Sequence, residues 1–131
     1  MTKRQASCRC GQLRVEAEGE PVRVSVCHCL ACKQRTGSAF SYQARFPRAN
    51  VRIEGNSKEF VRTADSGSKI SYRFCPQCGS TVHYGLVDVP GVVAIPVGAF
   101  ADPGFPAPRF SVYEERQHEW VQITGDVEHT G

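Results

Sequence analysis

No apolar run in this sequence approaches the ~20 residues that a membrane-spanning helix needs. The N-terminal MTKRQASCRC is basic but lacks the apolar segment of a signal peptide. The expectation is a cytoplasmic protein whose thiols stay reduced, with no membrane partner. Repeats, low-complexity tracts and interdomain linkers are also missing. A length of 131 residues suits one domain, expected over 1–131. Such a chain can bury an ordinary core without disulfides. With 40% hydrophobic and 22% charged residues it is not a disordered chain.

Helical patterning is scarce too. Only LACKQRT reads as a short helix, stopped by Thr36-Gly37. Strand patterning fills the rest. Leu13, Val15 and Ala17 alternate with charged residues, and Val22, Val24 and Val26 repeat that period and lead into Cys27. SYQARFP, NVRIEG, KEFVRTA, the strand half of SGSKISYRFC, STVHYGL, VVAIPVGAF, FSVYEE and HEWVQITG complete the predicted strands. Gly and Pro punctuate the junctions. ADPGFPAP is expected to cross the surface as a loop. The reading is mostly β, with one short helix.

Cysteine is what the chain has in excess. Seven is an odd number, and the spacings are tight: Cys8-x-Cys10, Cys27-x-Cys29-x-x-Cys32 and Cys75-x-x-Cys78. In a reducing compartment, metal binding outranks a disulfide framework. Cys75-x-x-Cys78-Gly79 has the spacing of a zinc knuckle, in which a tight turn aims both sulfurs at one metal. A thioredoxin-like redox pair would need a βαβ context that the flanking strands do not supply. Cys8 and Cys10 share one face of an extended chain. They complete a four-cysteine set with the knuckle. Spacing alone also permits Cys29, Cys32, Cys75 and Cys78 to form one set, leaving Cys8, Cys10 and Cys27. Either way one set has only three cysteines. Four ligands close a structural zinc site, whereas three leave a position for water or substrate, as in catalytic zinc.

The CxC near the start, the CHCLACKQRTGSAF segment, FCPQCGS, the later VVAIPVGAFADP and the region around Trp120 together resemble the glutathione-dependent formaldehyde-activating family. That family includes the centromere protein V group. The resemblance runs through most of the chain. It implies a mostly β, zinc-containing "β-tent" fold, related in shape to methionine-R-sulfoxide reductases. It also implies a partition: Cys8, Cys10, Cys75 and Cys78 on a structural zinc, and Cys27, Cys29 and Cys32 on a catalytic one. The implied chemistry combines glutathione and formaldehyde to S-hydroxymethylglutathione, a carbon–sulfur lyase class. The family's formaldehyde-activating enzyme proper carries C-G-C-x-x-C followed by Trp-Lys, without TGSAF. This chain has His28 and KQRTGSAF there, which places its resemblance in the broad group whose substrates need be neither glutathione nor formaldehyde.

Three thiolates on Zn²⁺ carry a net negative charge and acidify water less well than three imidazoles. Soft sulfur still suits zinc, so the open position favours a substrate thiolate. Two such zinc ions with all seven cysteines ionised would bring the formal +3 to about zero. A basic surface for nucleic acid then becomes a weak proposal. Glutathione has two carboxylates, so Lys33 and Arg35 beside Cys32, and Arg73 before the knuckle, are candidate substrate anchors. Solvated surface charge is their plain alternative. His28 is expected to pack or to bond outside the ligand shell, because adjacent residues rarely reach one metal. His83 and Tyr84 could line the same cleft, and Ser38 could donate to a substrate oxygen; strand core and turn are their ordinary roles.

Two other functions compete with the enzyme. A noncatalytic zinc module would bind a protein or nucleic acid. Its only support is the loose run Arg45, Arg48, Arg52, Lys58 and Arg62, which a solvated strand face also explains. A redox or metal-buffering protein would use the three thiolates directly. The chain is expected to act as a monomer or homodimer.

Overall fold

The computed structural model describes residues 1–131. Its strands, in chain order, are β1 (Lys3–Ser7), β2 (Arg14–Glu18), β3 (Arg23–Cys27), β4 (Ser41–Pro47), β5 (Val51–Glu54), β6 (Lys58–Thr63), β7 (Lys69–Phe74), β8 (Thr81–Leu86), β9 (Val92–Pro96), β10 (Phe110–Val112) and β11 (Glu128–His129). One α-helix, α1 (Leu30–Thr36), follows β3. The mostly β fold with one short helix agrees with the sequence. No helix is long and apolar enough to cross a membrane.

The strands form two sheets. A three-stranded sheet runs β1-β2-β5, and an eight-stranded sheet runs β11-β10-β3-β4-β9-β8-β7-β6. Most neighbours are antiparallel, but β10 pairs parallel with both β3 and β11. Alternation sends Val15 and Ala17 from the small sheet, and Val24, Ala44, Phe46, Val93 and Ile95 from the large one, into a shared core. Burying each of the larger side chains stabilises the fold by about 1.5–3 kcal/mol. The loop expected to cross the surface also anchors there, because Phe105 is buried and stacks on Phe100 at 4.9 Å.

Three expectations need correction. HEWVQITG forms a turn at Glu119-Trp120 followed by irregular chain, not a closing strand. Trp120 is 76% exposed and stacks on His118, so it finds no core to enter. FSVYEE is strand only to Val112, because Tyr113 takes a left-handed φ of 56° that breaks the extended run. VVAIPVGAF is strand only to Pro96, which is followed by a 3₁₀ turn, Val97–Phe100. The sequence reading also omitted β1. That strand is largely polar and exists by antiparallel pairing with β2, burying only Ala6.

Candidate metal centre and cleft

The fold gathers the cysteines into the two sets that the family resemblance implies. The ligand atoms of Cys8, Cys10, Cys75 and Cys78 lie within 4.8 Å of one another, as do those of Cys27, Cys29 and Cys32. The alternative set of Cys29 and Cys32 with Cys75 and Cys78 is not formed.

The first set joins the turn after β1 to the turn between β7 and β8. The sulfur of Cys10 is 3.6 Å from that of Cys8 and 3.6 Å from that of Cys75. Four sulfurs at the usual Zn–S distance would be separated by about 3.8 Å, so this donor set fits tetrahedral zinc. The backbone is arranged for anionic sulfur. The N–H of Leu13 donates to Cys8 Sγ at 3.3 Å, and the N–H of Gln77 donates to Cys75 Sγ at 3.3 Å. Gln12 Nε2 donates to Cys75 Sγ at 3.0 Å and to the Asn56 carbonyl at 2.7 Å. Hydrogen bonding with Ser80 holds Cys78 down at about 5. Gly79, at φ 82°, turns the chain out of the knuckle in a conformation that suits glycine.

The second set sits where β3 runs into α1. Cys27 ends the strand, Cys29 caps the helix, and Cys32 lies in its first turn with its N–H donating to Cys29 Sγ at 3.3 Å. As thiols alone, these groups cannot all ionise together. Cys32 is held at about 5, chiefly because the Cys27 thiol donates to it; Ser41, Cys29 and the positive charge of Arg35 add to this against the cost of burial. Cys27 is pushed up for the complementary reasons, keeping its proton toward Cys32 in a buried position. A divalent soft cation would relieve this conflict and satisfy all three sulfurs, so this donor set also fits zinc.

The two sets differ in what surrounds them. Cys27, Cys29 and Cys32 open onto a cleft of about 810 Å³ on the face of the large sheet opposite the core. The four-cysteine set does not border that cleft. Across β3 and β4, Cys27 faces Ser41, Ser25 faces Gln43, and Arg23 faces Arg45. Gln43 Nε2 donates to Ser25 Oγ at 2.9 Å, and Tyr84 Oη donates to Gln43 Oε1 at 3.1 Å. Burial pushes the Tyr84 phenol up, so this group stays protonated and donates. The Arg35 guanidinium lies over Tyr72 and Tyr84, 5.0 Å and 4.8 Å from the ring centroids. Its Nε is buried without a partner.

Of the three anchors named from sequence, only Arg35 reaches this cleft. Lys33 instead donates to the carbonyl of Arg116. Arg73 lies on the other face of β7 from Tyr72 and pairs with Glu59 at 3.5 Å. His28 is fully buried and bonds Ser111 Oγ through Nε2 at 2.9 Å, which is the packing role expected for it. Tyr84 lines the cleft but His83 does not. Ser38 is an exposed turn residue. Sequence reasoning missed Ser25, Gln43, Tyr72 and Arg23. The alternation Arg23-x-Ser25-x-Cys27 carried the signal, since it sets all three on one strand face.

Comparison with known proteins bears on the family and the fold. A Colletotrichum graminicola protein, provisionally named a glutathione-dependent formaldehyde-activating enzyme, is 28% identical over 127 residues. The match covers 86% of this chain but 65% of that relative, so the chain spans just under two thirds of its length. A Rhodobacter sphaeroides protein of solved crystal structure superposes with a TM-score of 0.56, covering 78% of this chain and 90% of that one. At 19% identity it shares the fold. The family model for glutathione-dependent formaldehyde-activating enzymes matches residues 3–116, and the chain belongs to that family.

Proposed function

We propose that the protein is a zinc-dependent carbon–sulfur lyase acting on a thiol adduct such as S-hydroxymethylglutathione. The observation that carries this reading is the opening of Cys27, Cys29 and Cys32 onto an arginine-lined cleft that the other cysteine set does not border. In this reading residues 1–131 act as one domain, a monomer or homodimer, on a cytoplasmic thiol.

Zinc held by Cys27, Cys29 and Cys32 would supply a position at which a fourth sulfur binds as thiolate at neutral pH. The chain's own residues would do the rest. Arg35, stacked on Tyr72 and Tyr84 with its Nε unpartnered, would bind a substrate carboxylate close to the sulfur. Tyr84 holds Gln43, and Gln43 holds Ser25, so the cleft floor offers fixed polar atoms to an amide or hydroxymethyl group. In the cleavage direction the carbon–sulfur bond breaks and its electron pair stays on sulfur. The hydroxyl oxygen forms the carbonyl of formaldehyde and loses its proton to water in the open cleft. Addition is the reverse.

A nucleic-acid module gains nothing from the geometry. Arg45 and Arg62 turn into the concave cleft, while Arg48 and Arg52 lie outside it. The deciding experiment is zinc stoichiometry of wild type and Cys29→Ser, with and without glutathione. One zinc in each cysteine set, loss of one in the variant, and a glutathione-dependent change confined to that centre are expected. Equal zinc content in both proteins, unmoved by glutathione, would leave Cys27, Cys29 and Cys32 as plain thiols and end the lyase reading.

A further inference from the structure

Arg23 and Arg45 face one another directly across β3 and β4. Like charges in register destabilise a sheet. Neither side chain forms an ion pair, and Glu128 offsets only part of the cost, acting on Arg23 from a distance and less strongly than burial and Arg45 oppose it. Arg23 lies over the Phe110 ring at 4.0 Å, which fixes its guanidinium, yet its Nε is buried without a hydrogen-bond partner. Both arginines line the cleft that contains Cys27, Cys29 and Cys32. Asp65 and Glu115 also line this cleft, but neither pairs with Arg23 or Arg45. One held cation and one exposed cation in a single row, with no ion pair between them and a protein carboxylate, form an arrangement that a bound anion completes.

Their place in the sheet supplies a ruler. The cleft floor is built in cross-strand rows: Cys27 with Ser41, Ser25 with Gln43, Arg23 with Arg45. Successive rows on one face are about 6.7 Å apart, so the arginine row lies about 13 Å from the cysteine row. The middle row is buried, Ser25 at 2% and Gln43 at 7% exposure, and hydrogen-bonded within itself. The floor therefore reads sulfur ligand, amide-like polar group, cation. We propose that Arg23 and Arg45 form a carboxylate clamp for the far end of the substrate, which is a thiol carrying an amide-linked arm that ends in a carboxylate. In a γ-glutamyl-cysteinyl thiol the γ-glutamyl carboxylate is further from sulfur than the glycyl one, so it is the group that reaches this row. Arg35, one helical turn beyond Cys32, is left for the nearer carboxylate. The clamp rests on the thiol-adduct reading above and specifies which arm of the thiol is recognised.

Two dipeptides separate the arms. γ-Glutamylcysteine keeps the far carboxylate, and cysteinylglycine lacks it. Calorimetric titration of each into the zinc-loaded full chain compares wild type with Arg23→Gln, Arg45→Gln and Arg23→Lys. γ-Glutamylcysteine is expected to bind about tenfold more weakly to both glutamine variants. Arg23→Lys should recover part of the loss, because it keeps the charge but not the fork. Cysteinylglycine should be unaffected throughout. Arg45 is exposed, so its variant carries the test even if removal of Arg23 from Phe110 disturbs the fold. Unchanged γ-glutamylcysteine affinity in Arg45→Gln, or equal loss for both dipeptides, would overturn the clamp while leaving the thiol reading intact. Tighter binding of phosphopantetheine than of γ-glutamylcysteine, lost in both glutamine variants, would overturn the carboxylate assignment. Failure of wild type to bind either dipeptide or glutathione would remove the thiol reading and the clamp with it.

Discussion

Two histidines show how far a residue's neighbours decide its chemistry. His28 stands between two candidate zinc ligands, yet strand alternation turns it away from them and into the core beside Phe40 and Ser111. His83 is largely buried on β8, with Nε2 unpartnered, and is lowered to about 4 by that burial, with the positive charges of Arg73 and Arg48 adding to it. The sign of its effect on stability follows. An unfolded imidazole protonates near pH 6.5. The folded one stays neutral until about pH 4. The unfolded state therefore binds more protons between these values, and stability falls as the pH drops through that window. Urea midpoints measured at pH 7.5, 6.5 and 5.5 should decline more steeply in wild type than in His83→Gln. Acid loss of metal affects both proteins, so the difference between them isolates the imidazole. Parallel slopes would mean that the ring is solvated. Neither placement was legible from residue type. For His28 the period-two pattern before Cys27 pointed the right way. For His83 the irregularity in register at Arg73/Phe74 blurs which strand face each residue takes.

At the scale of elements, the sequence was most informative where one face is apolar or a turn needs a particular backbone. SYQARFP is β4 residue for residue, and LACKQRT is α1, ended by Gly37 at φ 66°. Elements defined by pairing alone were illegible. β1 is held by its ladder to β2, and HEWVQITG has strand-like residues but no strand to pair with. The link between the small sheet and the Cys8–Cys10 turn depends on a glycine whose role also cannot be seen in sequence. Gly55 has φ 100°, and a Cβ there would lie 2.0 Å from the Gln12 carbonyl oxygen. That oxygen belongs to backbone close to two candidate metal ligands, Cys8 and Cys10, and cannot swing aside. Gly55→Ala should therefore cost about 3 kcal/mol or more and loosen the four-cysteine set. Gly37 also has positive φ, but an added methyl there would meet nothing within 4 Å, so Gly37→Ala should cost only about 1 kcal/mol. Chemical denaturation of the two variants checks this contrast. Equal losses would show that the tight approach at Gly55 is relieved by the surrounding loop.

Over the whole molecule, the two cysteine sets make opposite topological demands. Cys10 and Cys75 are 65 residues apart in sequence, and their set ties the turn of the small sheet to the large sheet. Cys27, Cys29 and Cys32 fall within one strand–helix junction and restrain almost no chain. A crosslink that closes a long loop removes far more freedom from the unfolded chain than one that closes a short loop. Metal binding that requires the folded arrangement is also folding free energy. Stability should therefore be lodged in the four-cysteine set, and reactivity in the three-cysteine set. In zinc-loaded protein, Cys78→Ser should lower the melting temperature by about 10 °C or more, whereas Cys29→Ser should lower it by only a few degrees. Chelator titration should follow the same order. The zinc of the three-cysteine set should leave first with the fold intact, and release from the other set should coincide with unfolding. Comparable melting losses in the two variants would mean that the three-cysteine centre is also structural. Its opening onto the cleft would then need another explanation than an exchangeable ligand position.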